Sequence, residues 1–261
     1  MIYFLSGLPR SGSTLLGSIL NQNPDVYVSP TSPLLDLLCL QNEAINRVSQ
    51  QYTFDVQEQA ASIYDALPLA YYHSIKKPHI IDKHRAWARN VMPAQMHISK
   101  NPKVICTNRP VAEVVTSFIK LINKDPDNFI DAALKKKRKA LTTNTRAMEL
   151  WESYIKDPWE SLRIGLENYK DNLHFVDYTN LVNDPQNTIN GIYDFLEIDR
   201  YEHSFDNISN TCGEAKDSAW GLRDLHTIRN KLEKTSDSAE EVLGDNLCKY
   251  FSQFDIKNGI R

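Results

Sequence analysis

Ile2-Tyr3-Phe4-Leu5-Ser6-Gly7-Leu8-Pro9-Arg10-Ser11-Gly12-Ser13-Thr14-Leu15-Leu16-Gly17-Ser18-Ile19-Leu20 is the stretch that decides the fold. A short apolar run, a turn bearing two glycines and an apolar-periodic segment read as strand, turn and helix. Gly7 and Gly12 reach backbone angles closed to other residues, so consecutive N–H groups can converge on one anion where the helix begins. A helix start also carries orphan donors and about half a positive charge. Ser11, Ser13 and Thr14 add hydroxyls and Arg10 adds a full charge. The loop reads as a phosphate cradle; its plain alternative is an ordinary turn with a solvated arginine. In the nucleoside-triphosphate pattern G-x-x-x-x-G-K-[ST], a lysine follows the second glycine. Here Ser13 stands there, and the cation precedes Gly12.

Outward from this loop, short strands alternate with helical stretches. Strands are expected at Val26–Val28, His79–Asp82, Lys103–Thr107 and Leu173–Tyr178. His79–Asp82 is short and apolar, as expected for a strand buried on both faces. Leu34 to about Ala70 reads as helical until Pro68 interrupts it, and residues 125 to 170 read as helices. Asp184-Pro185 starts another helix, and Trp220–Leu232 and Glu240–Phe254 read as the last two. This alternation predicts an α/β fold in one domain over 1–261, a central parallel sheet flanked by helices with long helical insertions. In such sheets ligands bind outside the carboxyl ends of the strands. Lys83-His84-Arg85 and Asn108-Arg109-Pro110 stand at two of those ends.

The 261 residues are 41% hydrophobic and 24% charged, with a net charge of −3. That is a globular composition, and the charge argues against a dominant nucleic-acid surface. No apolar stretch approaches the roughly 18 residues of a membrane span, and no secretory leader is legible, so a cytoplasmic protein is expected. Cys39, Cys106, Cys212 and Cys248 are far apart in the chain and read as reduced, buried thiols, not as a zinc site. The run Lys135-Lys136-Lys137-Arg138 reads as a solvated face, one that would suit an acidic acceptor.

Four segments together resemble the sulfotransferases that use 3′-phosphoadenosine-5′-phosphosulfate (PAPS), in the style of their bacterial, phage-like and tyrosylprotein branches. Leu8-Pro9-Arg10-Ser11-Gly12-Ser13-Thr14 resembles the loop holding the 5′-phosphosulfate. Val104 to Ser117 resembles the 3′-phosphate segment, in which an arginine and a serine eight residues later, here Arg109 and Ser117, hold that group. Phe175-Val176-Asp177-Tyr178-Thr179-Asn180-Leu181, with Pro185 and Phe195-Leu196, resembles the segment whose tyrosine lies by the adenine. Trp220 to Arg229 resembles a late segment that closes over the cofactor.

The resemblance implies a P-loop-type domain that binds PAPS through Pro9, Arg10, Ser11, Gly12, Ser13, Thr14, Arg109, Ser117, Tyr178 and Arg229. It implies PAP as product and no metal. Sulfuryl transfer is an in-line displacement in which positioning and charge stabilisation do most of the work. Arg10 and Lys83 would neutralise charge developing on the bridging oxygen, and His84 would take the proton of a hydroxyl acceptor. Related cytosolic enzymes place that histidine in a K-x-H context, whereas Lys83 and His84 are adjacent. Asp82 and Asp36 are the next candidates for the base, and a histidine that only caps a turn is the alternative for His84. The acceptor, whether small molecule, glycan or peptide, stays open, as does the oligomeric state. Its pocket is expected from Ser29–Tyr72 and Asp125–Tyr169, which the cofactor motifs leave unassigned. The competing reading is a P-loop kinase using ATP and Mg²⁺, with Asp82 as the metal-holding residue at a strand end.

Overall fold

The computed structural model describes residues 1–51, 57–213, 221–232 and 238–256. Five strands, β1 (Ile2–Gly7), β2 (Val26–Thr31), β3 (His79–Lys83), β4 (Val104–Asn108) and β5 (Leu173–Asp177), form one sheet. Every pairing is parallel and the order is β2-β3-β1-β4-β5. The connections from β1 and from β3 depart to opposite sides of β1, so the crevice for a ligand opens at that strand's carboxyl end. The register aligns the functional ends there: Leu5 lies beside Lys83, Gly7 beside Thr107, and Asn108 beside Asp177.

Alternate strand residues feed two cores. Phe4, Ile80, Val104 and Cys106 face one layer, with α2 (Leu34–Ser49), α5 (Val111–Lys124) and the helices from α6 (Phe129–Lys136) to α8 (Lys156–Asn168). Tyr3, Leu5, Ile81, Ile105 and Val176 face the other, with α1 (Ser13–Leu20) and α10 (Pro185–Leu196). Burial on both faces is why the apolar centre of β3 does not alternate with polar residues, and β4 is buried along its whole length. Pro185 takes the first position of α10, where its missing N–H costs nothing.

Several expectations shift. Pro68 does not end its helix: α3 runs Gln57–Tyr71 through it, and Tyr72 N–H still donates to the Pro68 carbonyl at 3.2 Å. Tyr178 opens the short helix α9 (Tyr178–Asn183) instead of finishing β5. The described part of the expected Trp220–Leu232 helix, 221–232, forms turns and irregular chain, with Gly221 and Asp224 at φ 60° and 64°; Trp220 lies outside the described residues. Asp125 pins this segment, accepting from the Arg223 N–H at 2.8 Å and its Nε at 2.7 Å. The last helical stretch breaks at Gly244 into α11 (Ala239–Leu243) and α12 (Asp245–Ser252). Of the cysteines, Cys106 and Cys212 are buried, Cys248 is half-buried and Cys39 is exposed. No helix among the described residues is long and apolar enough to cross a membrane.

Candidate active site

One cavity of about 850 Å³ opens over the carboxyl ends of β1, β3 and β4. Pockets for drug-sized ligands are about 300–1,000 Å³, and this one lies towards the upper end of that range. Pro9, Arg10, Gly12, Ser13 and Thr14 line its floor, with Lys83 and His84 on one flank and Arg109, Ser117 and Tyr178 on the other. Leu225 to Arg229 form a wall.

Two cationic positions result. Lys83, at the end of β3 and 7% exposed, reaches across to donate from Nζ to Thr14 Oγ1 at 3.2 Å. The second gathers around Arg109. Its Nη1 donates to the Arg10 carbonyl at 3.2 Å, its Nε to Glu113 at 2.9 Å, and its guanidinium lies 4.4 Å from the Tyr178 ring centroid. Arg10 turns the same way, Nε donating to Ser117 Oγ at 3.1 Å and Nη1 to the Leu225 carbonyl. Its backbone, at φ 60°, is left-handed, and its side chain reaches α5 through Ser117. Gly12 stands at φ 90°, and a Cβ there would come within 2.8 Å of Tyr178 Cδ2; only glycine lets the loop and that ring share the space.

His84 lies beyond Lys83, its N–H held by the Leu5 carbonyl at 3.0 Å. Its Nδ1 accepts from the Ala86 N–H at 3.2 Å, so the neutral ring carries its proton on Nε2. That nitrogen faces Asp36 Oδ1 at 3.5 Å. Burial lowers the His84 pKa, and the Asp36 carboxylate opposes the shift. The ring therefore stays neutral at pH 7.

With this geometry in view, the comparisons with known proteins decide the class. A family model described as the sulfotransferase family matches residues 3–203. The chain belongs to the sulfotransferase family. The solved sulfotransferase domain from the curacin biosynthetic pathway is 18% identical, covers 95% of this chain and 96% of its own, and superposes with a TM-score of 0.52. The sulfotransferase domain from the Synechococcus PCC 7002 olefin synthase is 19% identical over 98% and 95%, also at 0.52. A Mycobacterium avium sulfotransferase is 13% identical over 98% and 77%, at 0.51. At such identities the likeness is one of fold, an α/β fold with a central parallel sheet. No curated protein gives a significant match.

Within this sulfotransferase-family enzyme, most of the sequence-expected residues converge on the cavity, Arg229 included. Ser11 does not: it is fully buried, and its hydroxyl meets the Leu8 carbonyl at 2.6 Å and Thr107 Oγ1 at 2.7 Å, so it ties the loop to β4. Asp82 points into the opposite layer, accepting from Trp87 Nε1 at 2.6 Å and from the Tyr72 hydroxyl. Burial raises its pKa. It is a satisfied core carboxyl, unavailable either as base or as the metal-holding residue of a kinase. Sequence reasoning missed Arg89 and Asn90, which line the cavity from a single 3₁₀ turn (Trp87–Arg89) and its cap. Three residues carry too little periodicity to mark such a turn.

Proposed function

We propose that this enzyme moves the sulfuryl group of PAPS to a hydroxyl-bearing acceptor and releases PAP, with residues 1–261 acting as one domain. The observation that carries the reading is the pair of cationic positions in one cavity, Lys83–Thr14 and Arg109–Ser117–Arg10. A nucleotide phosphorylated at both ends of its ribose needs two such positions, whereas ATP needs one.

Ser13, Thr14 and the loop amides would bind the 5′-phosphosulfate, with Lys83 against the bridging oxygen. As the acceptor oxygen bonds to sulfur, the bond from sulfur to that bridging oxygen breaks, and its electron pair leaves with the 5′-phosphate. Lys83 neutralises the charge appearing there. Arg10, with Arg109 and Ser117, would grip the 3′-phosphate, a placement that differs from the direct role at the bridging oxygen expected of it from sequence. Tyr178 and Arg229 would complete the nucleotide site.

The proton of the acceptor hydroxyl goes to the His84–Asp36 pair. Nδ1 of His84 is engaged and Nε2 already carries hydrogen, so uptake at Nε2 requires that hydrogen to pass to Asp36. Geometry in the resting enzyme often tightens when substrate binds.

Isothermal titration with PAP in EDTA, set against ATP with Mg²⁺, tests the donor. PAP binding without metal, and transfer of labelled sulfate from PAPS to a hydroxyl acceptor, are expected. Magnesium-dependent ATP binding with no response to PAP would overturn the reading.

A further inference from the structure

Between Phe129 and Leu150, six cations stand against two carboxylates, Asp131 and Glu149, in a chain whose net charge is −3. Both carboxylates are consumed locally. Arg146 pairs with Asp131 at 2.6 Å, and Lys137 pairs with Glu149 at 2.6 Å. Lys135, Lys136, Arg138 and Lys139 are exposed, and among the described residues none of the four forms an ion pair. The helix dipole explains cations in the last turn of α6, which are Lys135 and Lys136. It does not explain Arg138 and Lys139, which lie beyond the cap.

The cap itself is unusual. Lys139 N–H donates to the Leu134 carbonyl at 2.9 Å and Arg138 N–H to that of Lys135 at 3.0 Å, a pattern that places its left-handed residue at Arg138, φ 55°. Glycine is the usual occupant of that position, and a side chain there is strained. A cationic side chain thus stands at a position the backbone disfavours for any side chain. The run is also wired to the cavity. Glu149 Oε1 accepts from Lys137 Nζ at 2.6 Å and from Ser153 Oγ at 2.9 Å, and Ser153 lines the cavity from a π-helical turn (Trp151–Ile155), a geometry common at functional sites. Arg85 and Arg89 also line the cavity, Arg89 paired there with Asp157 at 2.6 Å.

We infer that the acceptor is an acidic glycan whose anionic units lie along Lys135–Lys139 while one hydroxyl enters the cavity beside His84. The inference rests on the sulfuryl-transfer reading above. The cavity wall favours a sugar over an acidic peptide. Tyr154, with the edge of Phe129 against it at 4.4 Å between ring centroids, offers an aromatic surface amid Ser153, Asp157, Arg89 and Asn90. Sugar hydroxyls donate and accept at such planar amide, carboxylate and guanidinium groups, and the C–H face of the ring packs on the aromatic one.

The test compares three acceptors with the 261-residue enzyme and PAPS: a uronate-containing hexasaccharide, the same hexasaccharide with its carboxylates reduced to alcohols, and an acidic tyrosine peptide. The uronate form is expected to have a KM at least tenfold below the reduced form, rising with salt as screening predicts. Lys135→Glu/Lys136→Glu/Lys139→Glu, which leaves the strained Arg138 in place, should raise that KM tenfold or more with no matching fall in kcat. Direct titration of the hexasaccharide onto the PAP complex should weaken in parallel. Equal use of the reduced form, preference for the peptide, or a KM and Kd untouched by charge reversal would overturn the inference. PAP affinity of the wild-type enzyme is read separately, so a failed donor reading is distinguished from a failed acceptor one.

Discussion

Gly12 combines φ 90° with an absent side chain whose Cβ would lie 2.8 Å from Tyr178. Gly12→Ala must therefore either strain the loop by about 1–3 kcal/mol or push the ring from under Arg109. The expected result is PAP binding weakened at least tenfold by titration calorimetry, with a smaller loss of stability in urea. In the proposed reaction Lys83 neutralises the bridging oxygen, so Lys83→Met should lower single-turnover transfer about 100-fold or more, the scale of one lost stabilising group. His84 and Asp36 separate by pH. Asp36 holds the His84 pKa up against burial, so in Asp36→Asn the imidazolium loses support and its pKa falls further. The acid limb of kcat/KM should move to lower pH, while kcat drops about tenfold or more because the variant lacks the proposed second proton acceptor. A rate profile that overlays the wild-type one would leave His84 as the base on its own.

At the scale of elements, Glu149 joins three pieces: α6 through Lys137, α7 (Thr143–Leu150) on which it sits, and the π-helical turn through Ser153. The hydrogen bond from the Lys137 ammonium, helped by that from Ser153, holds the Glu149 pKa below the usual carboxylate range against burial, which raises it. Glu149→Gln keeps the shape and removes the charge; a loss of about 1–3 kcal/mol in urea is expected, the cost of weakened charge-assisted bonds. The same element scale explains what the sequence could reveal. The β1–loop–α1 unit and the ends of β3 and β4 were legible because each is a local pattern, a buried run followed by a few residues with special backbone or charge. Arg10 was legible as a cation but not in its destination, since its direction depends on a left-handed backbone and on the Leu225 carbonyl, 215 residues away. The segment 221–232 was misread because its apolar residues, Leu222 and Leu225, are spaced as on a helix. They plug the core as isolated anchors, with Asp125 holding the chain between them and α5. Asp82 looked functional by position at a strand end, yet two hydrogen bonds from Trp87 and Tyr72 turn it into the core.

Across the whole molecule the sheet divides two cores, and the layer built on α1 and α10 contains a buried histidine that the chemistry does not use. His203, 6% exposed, meets the Tyr193 hydroxyl at 2.8 Å, and that hydroxyl also accepts from Asn23 Nδ2 at 3.2 Å, so one polar chain spans the end of α1, α10 and the loop after it. Burial pushes the His203 pKa down to about 4, against about 6.5 in the unfolded chain. Between those values the unfolded state binds more protons than the native state, so stability rises with pH through that window. The contribution is complete above about pH 6.5 and is lost as pH falls towards 4; by pH 4.5 the loss amounts to about 2–3 kcal/mol. His203→Gln keeps a polar partner for Tyr193 and removes the titration. It should be less stable than the wild-type chain at pH 7 and lose less on acidification, so the two urea-midpoint profiles converge between pH 6.5 and 4.5. Parallel profiles would place the acid sensitivity in other groups, the paired carboxylates Asp131 and Glu149 first, whose depressed pKa values also withdraw stability as pH falls. Because His203 lies in the layer away from Glu149 and the basic run, the acid weakening it causes should appear first in the α1–α10 layer. Hydrogen exchange of amides in α10 should accelerate at pH 4.5 in the wild-type chain before those of α5, and that order should vanish in His203→Gln.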